Sequence, residues 1–155
     1  MTDNYKQILL KAKDGQDLAV IAGLIQDSIL QLSEVKYDEK NKNLVLILNR
    51  FCWEVNSENE KPYIRTHSIL NFQNVLNISS TNIDMKQDRM YSLLSAIPSN
   101  DNDNNVNIFL SFAGGGIIRV KVSKINITVK DVANSSNVSV AITFPSIKLF
   151  PESIA

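Results

Sequence analysis

Gly114, Gly115 and Gly116 stand in a row with Arg119 just downstream, in a chain that holds five glycines in all. Such a run can cradle a phosphate or close a tight turn. The phosphate-binding form needs a strand, a glycine loop ending in Lys-Ser/Thr, and a helix whose N-terminus faces the anion. Here the run is followed by Ile117-Ile118-Arg119-Val120-Lys121-Val122, which alternates as a second strand does. The run is therefore expected to be a hairpin turn, where glycine takes positive φ without strain.

Acid–base and nucleophilic chemistry need His, Cys or a carboxylate pair held beside a partner. His67, the only histidine, lies between Thr66 and Ser68 on an alternating segment with no pocket marked around it. Cys52, the only cysteine, lies between Phe51 and Trp53, where a thiol serves as packing. One His and one Cys make a zinc site only with two carboxylates, and nothing signals their positions. No catalytic residue, metal site or cofactor is expected on these grounds. The arginines are more informative. The chain has twelve lysines and four arginines, Arg50, Arg65, Arg89 and Arg119. Where lysine supplies the surface charge, the few arginines suit tasks that need a planar fork. Arg50, Arg65 and Arg119 fall in expected strands. With His67 and the amides of Gly114, Gly115 and Gly116 they could grip a carboxylate or phosphate. The competing reading pairs them across strands with Glu54 or with aspartates.

These residues need elements to position them. Tyr5 to Ala12 is expected as a first strand. Asp14 is placed as the N-cap of a helix, and Asp17 adds negative charge to its first turn. Leu18, Ile21, Ala22, Ile25 and Ile29 recur at helical spacing, while Gln16, Gln26 and Asp27 put the opposite side in water. From there the period becomes two. Leu30 to Tyr37 and Asn43 to Val55 flank a polar turn and form a hairpin. Leu44 to Leu48 is apolar on both faces, as in a covered central strand. Beyond Asn49, the core face is assigned to Phe51, Trp53 and Val55, and the other face to Arg50, Cys52 and Glu54.

Ile64 to Phe72 and Val75 to Ile78 read as further strands, and Asp84 to Arg89 as a charged connection. Met90 to Ile97 is a strand or a short helix, and Pro98 to Asn105 a loop. Ile118, Val120 and Val122 have the opposite parity to Ile125, Ile127 and Val129, so a bulge or corner is expected near Ser123-Lys124. Val138 to Phe144 is a last strand stopped by Pro145.

A length of 155 residues suits one domain, 1–155. Lys+Arg and Asp+Glu both total 16, so the zero formal charge gives no footprint for nucleic acid or an anionic membrane. A single cysteine suits a reducing compartment, and Met1 to Tyr5 lacks the basic and apolar regions of a secretory signal. No apolar run approaches the ~20 residues needed to span a bilayer. The expected location is the cytoplasm, with neither nucleic acid nor membrane as partner.

Several blocks resemble an uncharacterised alphaproteobacterial domain-of-unknown-function family (number 2948). They are Asp14 to Ala22 with Gln26-Asp27, then Leu48-Asn49-Arg50-Phe51-Cys52-Trp53-Glu54, and Phe112-Ala113-Gly114-Gly115-Gly116-Ile117-Ile118-Arg119-Val120. Valine stands at 120 where the family's signature has leucine. The resemblance runs to Asp131, making 5–132 the family-like core and 133–155 a C-terminal strand and tail. It implies lineage and a cytoplasmic setting, and supplies no catalytic residue.

The fold expected is α+β: a mainly antiparallel bent sheet or half-open barrel, with a pleckstrin-like barrel as a close alternative, and one N-terminal helix against it. The expected function is a non-enzymatic binding or interaction module that self-associates as a homodimer formed partly by the C-terminal strand, or binds another protein. The rival is a small hydrolase or transferase whose anionic substrate is held by the arginines and the glycine hairpin. A concave pocket lined by Arg50, Arg65, Arg119 and His67 favours the rival; an apolar face or exposed sheet edge favours the module.

Overall fold

Asp14 does start a helix, α1 (Gly15–Ile25): its carboxylate accepts the Asp17 N–H at 2.8 Å. Asp17 in turn accepts the Lys13 N–H at 3.1 Å, so two donors at the helix start are satisfied reciprocally. The computed structural model describes residues 7–53, 64–84 and 86–132. Within them the helix is joined by nine strands. These are β1 (Leu9–Ala12), β2 (Ile29–Asp38), β3 (Asn43–Phe51), β4 (Arg65–Phe72) and β5 (Val75–Thr81), followed by β6 (Met90–Asn100), β7 (Val106–Phe112), β8 (Ile117–Val122) and β9 (Ile127–Asp131). The strand expected at Val138 to Phe144 lies outside the described residues.

Every pairing is antiparallel, and the order is β1-β9-β4-β3-β2-β6-β7-β8-β5 in one open, bent sheet. The bend comes from two features. First, β6 is shared: Met90 to Ser92 pair with β2, whereas Leu93 to Asn100 pair with β7. Second, the chain passes from β4 to β5 and from β8 to β9 through paired corners, sealed by Gln73 N–H to the Asn126 carbonyl and Ser123 N–H to the Asn74 carbonyl, both 3.0 Å. The parity slip between Val122 and Ile127 is this corner.

The two halves share one apolar cluster. Leu18, Ile21 and Ile25 of α1 pack with Leu44, Leu46 and Leu48 of β3, and with Ile108, Leu110, Ile118 and Val120 of the other half. Beyond Ser92, β6 has no strand on its β2 side among the described residues, and α1 packs beside it. Pro98 was expected in a loop but lies in β6 opposite Ile108. Its missing N–H is tolerated because one edge of this stretch has no strand partner among the described residues. Where β2 leaves β6, the Asp88 carboxylate takes over: it accepts from Ser33 N–H and Gln31 Nε2, both at 2.8 Å. No helix among the described residues is long and apolar enough to cross a membrane.

Candidate functional site

Arg50 lies on the core side of β3 and is fully buried. Its Nη2 donates to Asp131 Oδ2 at 2.9 Å and its Nε to Oδ1 at 3.2 Å, a two-point ion pair. The same carboxylate accepts from Ser68 Oγ and, at 3.0 Å, from the Ile8 N–H. One buried anion thereby ties β3, β4 and β9 to the residue preceding β1. The pair also reverses the face expected for this strand. Arg50 and Cys52 point inward, Phe51 is half-buried, and Trp53 is 44% exposed. Trp53 is thus a surface residue and not core, because Asp131 gives the inward arginine a partner.

Arg65 and His67 lie on the opposite face of the sheet from Arg50, facing Phe51 and Asn49 across β3. Arg65 Nη1 donates to the Asn49 carbonyl at 3.0 Å and the Asp27 carbonyl at 3.4 Å, and its guanidinium lies 5.5 Å from the Phe51 ring centre. Trp53 Nε1 donates to the Gln26 carbonyl at 2.9 Å and meets Phe51 edge-on. The last turn of α1 has no basic residue of its own, so these two side chains serve the carbonyls just past its C-terminus. His67 is half-buried, and its carbonyl accepts the Val132 N–H.

Gly114 (φ +90°) and Gly115 (φ +91°) make the turn between β7 and β8, as the hairpin reading required. The Gly115 N–H donates to the Phe112 carbonyl, and Phe112 N–H to the Gly116 carbonyl. Gly116 is needed for another reason: a Cβ there would lie 2.7 Å from Ile83 Cδ1. Arg119 follows on β8, on the face away from the core, in the other half of the sheet from Arg50 and Arg65. Arg50 is therefore separated from Arg65 and His67 by the sheet, and Arg119 from all three by the bend.

A concave feature among the described residues lies where α1 crosses β6. It is a crevice of about 430 Å³, walled on the helix by Gly15, Ala19, Ala22 and Gly23, and on the strand by Leu94 to Pro98. Leu94 and Ile97 stand 46% and 57% exposed at its border. Ala19 and Gly23 are exposed too, on the side of α1 that the Gln16 and Gln26 pattern marked as polar. The only sequence signal for this crevice is Gly23, a glycine inside a helical stripe.

No curated protein and no solved structure matches the chain. A family model described as "Protein of unknown function (DUF2948)" matches residues 8–142, which takes in α1, all nine strands, the buried ion pair and the glycine hairpin. The chain therefore belongs to this family of proteins of unknown function, DUF2948.

Proposed function

We propose that this chain is a non-enzymatic interaction module that takes apolar side chains of a partner polypeptide into the crevice between α1 and β6. The supporting observation is Gly23. It sits inside α1, exposed, and a Cβ added there would meet nothing within 4 Å. Neither the helix nor the core needs a glycine at this position, and it costs about 1 kcal/mol relative to alanine. A wall made of Gly15, Ala19 and Gly23 keeps the crevice open and lets another chain come close to the helix backbone. Leu94 and Ile97 beside it give that partner apolar surface to bury.

Three of the groups that an enzyme would use are occupied or out of reach. Arg50 is held by Asp131, Arg65 serves the helix end, and Cys52 is buried. Self-association fits the same reading. Among the described residues β1 and β5 end the sheet, and Leu9 and Leu76 on them are exposed. A homodimer at micromolar concentration is the form proposed, read by light scattering.

Peptide display tests the crevice. Random peptides selected on the wild-type protein should carry apolar anchors and lose binding to Gly23→Gln, which fills the crevice without touching the core. Selected peptides that bind Gly23→Gln as well as wild type would remove the proposal.

A further inference from the structure

Three of the four arginines have their charge engaged: Arg50 by Asp131, Arg65 by two carbonyls, and Arg89 by Asp84 and the Gln87 amide oxygen. Arg119 differs. It is half-buried, its Nε is shielded from water, and it has no hydrogen-bond or ion-pair partner among the described residues. A half-buried charged fork without a partner is costly.

Its neighbours show the same shortage of partners. Ser79 lies directly opposite Arg119 in the β5–β8 ladder, so the two side chains share a face with Cβ atoms about 5 Å apart. Ser79 is 1% exposed, and its hydroxyl has no partner among the described residues. One row along, Asn107 faces Lys121, and its amide oxygen is also unpartnered. A half-turn of that amide would present two donors. The Lys121 charge is offset by Asp101 at 3.4 Å, whereas that of Arg119 is not. Buried polar groups are normally satisfied, so three orphaned ones on one sheet face call for a ligand. On the other side of Arg119 the row turns apolar, with Phe109 and then Ile97.

We propose that the outer face of β5, β8 and β7 binds an oxyanion, a carboxylate or a phosphate ester, whose oxygens bridge the Arg119 guanidinium and the Ser79 hydroxyl. Its apolar body lies along Phe109. A fork of donors matches two oxygens of either group, and a nearby ring adds stacking area. The site does not depend on the crevice reading, since Arg119 and Ser79 do not line the crevice.

The test follows the arginine Nε–Hε signals by NMR at constant ionic strength, with phenyl phosphate and benzoate as probes. The Arg119 signal is identified by its loss in Arg119→Lys. It should shift and saturate with at least one probe, while that of exposed Arg89 stays in place. Saturation by phenyl phosphate alone assigns the site to phosphate esters, and by benzoate alone to carboxylates; either supports the site. Ser79→Ala should weaken the affinity roughly threefold to tenfold, the worth of one hydrogen bond. Arg119→Lys, read from the β8 backbone amides, should weaken it about tenfold or more while the melting temperature is retained. A stationary Arg119 signal, a linear drift shared with Arg89, or unchanged binding in Arg119→Lys would overturn the site.

Discussion

Replacing Asp131 by alanine removes the carboxylate that accepts two hydrogen bonds from buried Arg50, one from Ser68 and one from the Ile8 amide. Arg50 is 0% exposed and stays charged at any accessible pH. Breaking such a pair from one side costs about 3–5 kcal/mol, a large share of the roughly 5–15 kcal/mol that holds a domain of this size together. Taking about 4 kcal/mol and a urea dependence of about 2 kcal/mol per molar, the midpoint should fall by roughly 2 M. Arg50→Met should cost less, because the carboxylate it leaves keeps Ser68 and the Ile8 amide as hydrogen-bond partners. The double variant should cost clearly less than the sum of the two single variants, since the groups form one network. Urea melts of the four proteins decide the matter. A midpoint shift under about 0.5 M for Asp131→Ala, or strict additivity, would refute the assignment of this pair as the lock between β3 and β9.

Gly23→Ala should raise stability by about 0.5–1 kcal/mol, because the added methyl meets no neighbour and restricts the unfolded chain; a loss in urea melts would show that the position is not open. Gly115→Val should cost about 1–3 kcal/mol through a β-branched residue held at φ +91°, and an unchanged midpoint would argue against the turn geometry. A third expectation concerns acid. The Ser33 amide and hydroxyl and the Gln31 side chain hold the Asp88 carboxyl below its ordinary value of 3.8. For Asp101, burial pushes the carboxyl up, but the Asp103 and Asn105 amides and the Lys121 ammonium outweigh it, so it too lies below 3.8. A depressed folded-state value means stability that is present well above 3.8 and lost as pH falls through the lower folded value. The gap in urea midpoint between wild type and Asp101→Asn should therefore stay constant near neutrality and shrink below about pH 4. A gap that widens on acidification contradicts this.

Local chemistry made much of the fold readable in advance. Asp14 and Asp17 signal a helix start because capping is settled within four residues, and the polar turn after Asp38 signals a hairpin for the same reason. The face of β3 was not readable. Leu44 to Leu48 are buried on both sides and carry no phase, and the partner that draws Arg50 inward lies 81 residues away. β6 hid its identity in another way. A register shift between Leu93 and Ser95, together with exposed Leu94 and Ile97, erases the alternation that marks a strand. The crevice depends on α1 meeting a stretch of β6 about 75 residues further on, so only Gly23 hinted at it. Arg119 stood out from its residue type, but its lack of a partner became visible only with Ser79 opposite.

The claim that the α1–β6 crevice receives a partner polypeptide is tested most directly by photo-crosslinking in the native cell. A photoreactive phenylalanine analogue is placed at Leu94, exposed at the crevice border, and separately at Lys124, exposed on the corner between β8 and β9. The crevice reading predicts a discrete polypeptide adduct from position 94 that disappears when Gly23→Gln is added, and none from position 124. Equal adducts from both positions, or an adduct at 94 that survives Gly23→Gln, would contradict it.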